Sequence, residues 1–186
     1  MSGFIPEITT VVKVNTKTNR IDKSLQLLQS DKASAYAFTD IIDWLKRDKQ
    51  ELEELSDVLA KNVSEKLKDH QRDIIKERKH IFSGMMYNSV DITKDGTAQY
   101  LVGNTATSVD GFPYPLAIET GRKTVYPIEA KMLRWWTEPG FSGDVVYAKK
   151  SKAVAADPFV EKSIDRTAND LEALVDNFLD KSLNGK

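Results

Sequence analysis

The chain has 186 residues, with 27 basic and 28 acidic side chains and a formal net charge of −1. This length suits a single domain around one core, and the near-zero charge argues against a protein that covers DNA phosphates, which needs a basic excess. Cysteine is absent, which excludes disulfides, thiolate catalysis and cysteine-ligated zinc. No apolar run reaches the ~18 residues of a transmembrane helix, and the N-terminus lacks the pattern of a secretory signal.

The N-terminal stretch predicts a strand followed by an ambiguous segment. Residues 7–18, EITTVVKVNTKT, are rich in Thr and Val and favour a strand. Residues 21–28, IDKSLQLL, fit either a second strand or a short helix. We expect residues 1–38 to form a β-like arm and residues 39–186 to form a single domain.

The next segment has the spacing of one long amphipathic helix that either Thr39 or Asp40 can cap. Its run of roughly 40 residues would span roughly 60 Å at 1.5 Å per residue. We therefore expect it either to break near residues 46–48 or to project from the body and pack on neighbours. The apolar positions recur mostly at steps of three, four and seven, with no Pro or Gly between them, and they are Ile41, Ile42, Leu45, Leu52, Leu55, Leu59, Val63, Leu67 and Ile74.

A hairpin is predicted after the long helix. The turn residues Lys94, Asp95 and Gly96 separate two β-like runs, YNSVDI and TAQYLVG. A short helix or turn around PLAIETG follows, and then a loop, RKTVYPIEA, with Arg122 and Lys123 expected at its tip.

The last part of the chain predicts two further strands and a helix. Residues 131–136, KMLRWW, and residues 144–151, DVVYAKKS, have strand-like composition. Asp157 and Pro158 have the residue types of a helix cap and a first helical position. The predicted fold is therefore α+β, with a long helix in the N-terminal half, a small mostly antiparallel sheet, and a C-terminal helix packed on the sheet.

Residues typical of catalysis are sparse, and we predict no catalytic residue, no metal and no cofactor. No HExxH, GxSxG or phosphate-binding glycine loop occurs, and the two histidines, His70 and His80, are expected to be solvated on the long helix. Glu119 lies in an apolar stretch before Gly121, which indicates a structural polar residue at a helix end. A small hydrolase would require Glu119 to converge with a histidine, and nothing in the sequence indicates this.

Two features leave alternatives open. A basic cluster near the end of the long helix suits the helix dipole as a solvated face, and a DNA-binding regulatory module is the alternative. Adjacent Trp135 and Trp136 would face opposite sides of a strand, so one of them faces either a partner or another part of the monomer. The basic cluster comprises Arg72, Lys76, Arg78, Lys79 and His80.

The order of five short elements resembles the tail-completion (tail-component, neck) proteins of long-tailed bacteriophages, over about residues 50 to 180. The elements are Ser83-Gly84-Met85 with Asn88-Ser89-Val90, YPLAIETG at residues 114–121, YPIEAKMLRW at residues 126–135, VVYAKK at residues 145–150, and ADPFV at residues 156–160. Ser83, Pro115 and Arg122 depart from the family pattern. The subfamily is therefore left open between tail completion, tail terminator and minor capsid component.

The resemblance implies a non-enzymatic virion protein of the phage neck or tail, made in the host cytoplasm. It implies a sixfold ring of identical subunits between a head-side connector or stopper and the tail tube or its terminator. Genome DNA would pass through the lumen without sequence-specific binding, and no membrane is involved. The structural signature positions are Gly84, Tyr114, Glu119, Gly121, Leu133, Trp135, Pro158 and Phe159. The expected subunit or partner contacts are Arg122, Lys123, Tyr126, Pro127, Trp136, Val11 and Val12.

Overall fold

The structure is a computed structural model that describes residues 8–15, 17–29, 39–78, 84–107, 113–128, 130–138 and 142–184. It consists mainly of two long helices and two small antiparallel sheets. The predicted α+β fold is confirmed, because a long helix, a three-stranded antiparallel sheet and a C-terminal helix share one core. None of the described helices is long and apolar enough to cross a membrane.

The three-stranded sheet has the order β1-β3-β2. Strand β1, Ile8–Lys13, confirms the predicted N-terminal strand and pairs antiparallel with β3, Gln99–Asn104, which pairs in turn with β2, Val90–Gly96. Alternate residues of β3 are buried, with Tyr100 and Val102 on the covered face. The described part of the expected arm thus contributes an edge strand to the sheet.

The ambiguous segment 21–28 lies in helix α1, Asn19–Gln29, and the long helix α2 runs unbroken from Thr39 to Glu77. Of the two alternatives for α2, the break near residues 46–48 is wrong. Helix α1 packs against α2, and Asp22 accepts a hydrogen bond of 2.7 Å from Lys49. The first half of α2 therefore extends past the sheet with α1 beside it.

The buried stripe of α2 differs from the predicted one in its first half. Ser56, Ala60 and Ser64 are buried, whereas Leu52 and Leu55 are each 41% exposed. Small side chains let the helix backbone approach the sheet closely, and the two serine hydroxyls donate to the carbonyls four residues earlier, which satisfies them without a partner from the sheet. The larger apolar residues therefore lie on a different face of α2.

The core lies where the second half of α2 meets the sheet and the C-terminal helix α5, Phe159–Asn184. Phe159, the first residue of α5, is fully buried. Two short helices complete this region, α3 at Met85–Asn88 and α4 at Tyr114–Thr120. The core cluster comprises Leu67, Ile74, Ile75, Met86, Val90, Val102, Ala106, Phe159 and Val160.

The β2–β3 hairpin is confirmed, but its turn lies beyond the predicted Lys94-Asp95-Gly96. Strand β2 continues to Gly96 through an irregularity in register, and the turn is formed by Thr97 and Ala98, the latter at φ 51°. The Asp57 carboxylate of α2 accepts from the Ala98 amide at 3.0 Å, the Tyr100 hydroxyl at 3.1 Å and the Lys94 ammonium at 2.6 Å. These contacts with α2 stabilise Ala98 in its left-handed backbone conformation.

The predicted strands in the C-terminal half form a second, separate sheet. Strand β4, Leu133–Glu138, pairs antiparallel with strand β5, Ser142–Ala148. Trp135 lies opposite Val146 and Trp136 opposite Val145. The small sheet that the sequence predicted is thus divided into two.

The Asp57 contacts make stability depend on pH. Hydrogen bonds from Lys94, the Ala98 amide and Tyr100 hold the pKa of Asp57 below its ordinary value. A depressed folded-state pKa stabilises the fold above the unfolded-state pKa, and this contribution is lost as pH falls through the folded-state pKa. We expect Asp57→Asn to lower the urea midpoint at neutral pH, and the gap from the wild type to shrink in acid.

Asp43→Asn is the matched control, since Asp43 is an exposed carboxylate of the same helix. Urea unfolding followed by circular dichroism between pH 7 and about pH 3 makes the measurement. A constant gap between Asp57→Asn and wild type across this range would contradict the assignment.

Candidate functional site

Glu119 joins helix α4 to the start of helix α5. Its carboxylate accepts from the backbone amides of Val160 at 3.0 Å and Glu161 at 3.4 Å. These amides belong to the first turn of α5, which has no intrahelical acceptors for them and carries the positive end of the helix dipole. The expected structural role of Glu119 thus takes a specific form, a helix cap supplied by a residue about 40 positions earlier in the chain.

Gly121 makes the close approach after Glu119 possible. It has φ 72°, and a Cβ atom there would lie 2.8 Å from both the Val154 carbonyl oxygen and the Ala156 nitrogen. One residue further, the Asp157 amide donates to the Ile118 carbonyl at 2.8 Å. Only glycine fits this crossing without moving the backbone.

The segment after Gly121 is paired rather than free. Arg122 and Val154 exchange two backbone hydrogen bonds of 2.9 and 2.8 Å, and Val125 and Ser151 exchange two of 3.0 and 2.8 Å. The Arg122 guanidinium donates to the Ser151 hydroxyl at 2.7 Å. The prediction that Arg122 lies at a loop tip is therefore wrong, because its backbone and side chain are both engaged, whereas Lys123 is exposed.

The structure brings four of the signature residues together at this junction. Glu119 and Gly121 contact residues on either side of Pro158, whose carbonyl accepts from Lys162 at 3.2 Å, and Phe159 enters the core. We call this the α4–α5 joint, made of residues 118–122 and 154–161.

The other four signature residues lie elsewhere. Gly84 precedes α3 at φ 69°, and Tyr114 begins α4 with 41% exposure. Leu133 and Trp135 lie in β4, where they pair with β5. The signature thus has one clustered half and one dispersed half.

An apolar surface follows the joint along the chain. Tyr126 is 61% exposed and Ile128 is 99% exposed, while Pro127 is half-buried. Val125 and Met132 add exposures of 42% and 41%. Sequence reasoning named Tyr126 and Pro127 but missed Ile128, although an apolar residue directly after an X-Pro pair in a loop is a usable signal.

A second apolar surface lies beside β1. Val11 is 57% exposed, and Val12 is half-buried against the core. A groove of about 210 Å³ runs between β1, α2 and α5. Its lining is Thr10, Val11, Val12, Val63, Leu67, Ile164, Thr167, Ala168 and Leu171.

His70 is buried, so the expectation that it is solvated is wrong. Its Nδ1 lies 3.0 Å from the Thr167 hydroxyl, and Thr167 donates its own proton to the Ser163 carbonyl. Its Nε2 lies 3.4 Å from the Asp170 carboxylate, so both ring nitrogens face polar partners on α5. Burial lowers the pKa of His70, and the nearby Lys66 lowers it further. His80 lies outside the described residues.

The hydrolase hypothesis finds no support in this arrangement. Glu119 binds the first turn of α5, whereas His70 contacts the same helix at Thr167. Each group is satisfied by a different structural partner.

Two arginines of the basic cluster contact the protein itself. Arg72 lies 5.4 Å from the centroid of the Tyr87 ring and donates to the Val90 carbonyl at 3.3 Å. Arg78 lies 3.9 Å from the Asp157 carboxylate. Lys76 is exposed, and Lys79 lies outside the described residues.

Comparisons with protein-family models, with curated proteins and with solved structures give no match. The resemblance to phage tail-completion proteins therefore depends on the order of the sequence elements alone. Within the described ranges, no group of three or more His, Asp or Glu side chains has the arrangement of a metal site.

Removal of the Glu119 carboxylate should destabilise the fold through the first turn of α5. We expect Glu119→Ala to reduce the free energy of unfolding by about 1–2 kcal/mol, the usual cost of losing a helix cap. Glu161→Ala, which removes an exposed acid from the same turn, should cost about 0.5 kcal/mol. Urea unfolding of both variants makes the comparison, and equal losses would contradict the capping role.

Alanine at position 121 tests the close crossing. The positive φ and the backbone clash should together cost about 2–4 kcal/mol. Gly96→Ala is the matched control, because a Cβ there meets its nearest neighbour at 3.8 Å, and we expect it to be neutral or stabilising by up to about 1 kcal/mol. Similar thermal midpoints for the two variants would show that the crossing at Gly121 is relaxed.

Proposed function

We propose that this protein is a structural component of the phage virion neck, where copies form a ring that joins the head connector to the tail tube. It acts through assembly and not through catalysis. Its partners are further copies of itself, a head-side connector or stopper, and the tail tube or its terminator. It is made in the host cytoplasm and resides in the virion.

The observation that carries the proposal is the α4–α5 joint. Two of the five sequence elements that resemble the phage family, YPLAIETG and ADPFV, contact each other there. A third element contributes Val90 to the core that Phe159 enters. Elements far apart in the sequence thus cooperate in one architectural unit, which supports reading their order as a shared fold.

The exposed apolar residues support a role in assembly. Leu52 and Leu55 of α2, Ile128 of the loop and Val11 of β1 are exposed apolar residues on separate elements. Large apolar side chains grouped on a surface are typical of sites that another chain covers. A ring subunit needs at least two such surfaces, one toward each neighbour.

The DNA-binding alternative has weaker support. Arg72 and Arg78 are engaged within the chain, and the net charge of −1 provides no general attraction to phosphate. A near-neutral lumen would neither hold nor repel a passing genome.

Electron microscopy of the purified protein, alone and mixed with phage tails or virions, tests the proposal. We expect closed rings or added density at the head–tail junction, and the images would give the number of subunits directly. A stable monomer with no affinity for any phage particle would contradict the neck role.

A filter-binding titration of duplex DNA against salt should follow in that case. Affinity that falls with salt, and falls less steeply in Lys76→Ala, would favour the DNA-binding module.

A further inference from the structure

The β4–β5 hairpin has few contacts with the other described helices and strands. Its two strands pair with each other, and among the described helices and strands no other packs extensively against them. A two-stranded hairpin alone is at best marginally stable in water, because it lacks a covered apolar face. Additional contacts from another chain would remove this deficit.

Exposed apolar side chains occur in the hairpin and in the segment directly before it. Tyr147 in β5 is 56% exposed, and Met132, directly before β4, is 41% exposed. Tyr126 and Ile128 precede them in the same stretch of chain. We call the described residues of this loop and the hairpin, 125–128, 130–138 and 142–148, the hairpin module.

The two edges of the three-stranded sheet differ in their protection. Edge strand β2 carries Asp91, Lys94 and Asp95 and a register irregularity, which are features that discourage pairing with another strand. Edge strand β1, ITTVVK, has one charge at its end and is otherwise formed of β-branched residues. No strand among the described residues pairs with the outer edge of β1, which is therefore the edge that can accept a further strand.

The groove beside β1 extends this open edge. Ile164 and Leu171 of α5 are 41% and 42% exposed along it, next to Val11. Its volume of about 210 Å³ is below the ~300–1,000 Å³ of typical small-molecule pockets. The groove suits side chains of a docked strand better than a separate ligand.

We propose that the hairpin module of one copy docks on the β1 edge of the next copy and adds strand β5 to its sheet. The occupant is a second copy of this chain, because the chain itself carries both the unsupported strand and the open edge. The strands match in length, with six residues in β1 and seven in β5. This inference rests on the self-assembly in the proposed function and identifies the surfaces that mediate it.

Charge supports an antiparallel arrangement. If Val11 lies opposite Val146, antiparallel counting also places Lys13 opposite Asp144, so opposite charges meet at the end of the strand pair. The donor and acceptor surfaces are different parts of the chain, so the contact is heterologous. Contacts of this kind close into rings when the rotation between copies is suitable.

Cysteine cross-linking tests the pairing cleanly, because the chain has no cysteine of its own. The variant Val11→Cys with Val146→Cys is oxidised at the protein concentration at which microscopy finds rings, or at the highest soluble concentration if none form. We expect a ladder of covalent oligomers on a non-reducing gel. The matched control is Thr93→Cys with Val146→Cys, in which the first cysteine lies on the exposed face of the guarded edge strand, and it should give no ladder.

The outcomes separate the docking mode from the function. Rings without cross-linking of the test pair would overturn the docking mode and leave the neck role standing. A ladder without rings would support the docking mode and count against the neck role, and absence of both would overturn both. Dimers from Val11→Cys alone would mean that β1 pairs with itself, which also overturns the proposal.

A second pair of variants probes the groove without a covalent link. Leu171→Asp should raise the protein concentration needed for assembly about tenfold or more, the scale expected for a side chain central to an interface. Leu179→Asp, at a similarly exposed position on the same helix outside the groove, should have little effect. Equal effects of both variants, with unchanged circular dichroism, would place the contact elsewhere.

Discussion

The carboxylate of Glu119 at the start of α5 is the contact on which the arrangement of the C-terminal half depends. It satisfies two amides that the helix itself cannot satisfy, and it does so from a separate short helix, so the two elements are fixed relative to each other. Phe159, one residue before the first of these amides, then enters the core beneath the sheet. Gly121 allows the chain to cross within van der Waals distance of residues 154–156, and the paired segments that follow lead directly into the β4–β5 hairpin. The Glu119 contact, the crossing at Gly121 and the backbone pairing of residues 122–125 with 151–154 thus connect the hairpin to the core.

The long helix illustrates what periodicity can and cannot predict. Its existence and approximate length follow from steady apolar spacing without Pro or Gly, whereas the sequence left a break near residues 46–48 open and the structure shows none. The face that packs on the sheet does not follow, because close approach of a helix to a sheet favours small residues such as Ala60 and Ser64 over leucine. Hydrophobicity alone ranks Leu52 and Leu55 as core residues, yet both remain substantially exposed. The assignment of a face depends on which partner is nearest, and that is a tertiary property.

The same limit explains the other differences. His70 lies seven positions after Val63 and three after Leu67, so its place in the apolar stripe was visible in the sequence, but its partner Thr167 on another helix was not. The turn at Ala98 depends on Asp57, which is 41 residues earlier in the chain, and local turn propensity therefore pointed to the Lys94-Asp95-Gly96 run instead. Residues 21–28 fitted a strand or a helix equally well, and packing of α1 against α2 accompanies the helical state. Glu119 was correctly interpreted as structural from its apolar surroundings and the glycine after it, whereas the helix it caps could be identified only from the fold.

The distribution of exposed apolar groups argues for assembly through elements that the core leaves uncovered. A monomer that functioned alone would gain by placing polar residues at positions such as Ile128, which is 99% exposed, because no intrachain packing constrains the choice there. Edge strand β2 carries charged residues that discourage pairing with another strand, whereas edge strand β1 carries only one charged residue, Lys13. This difference in charge between the two edge strands favours association at the β1 side of the sheet. In the proposed docking mode, the β4–β5 hairpin of one copy would provide a strand for that side of the next, so each copy would offer one surface and accept the other, as a closed ring of identical subunits requires.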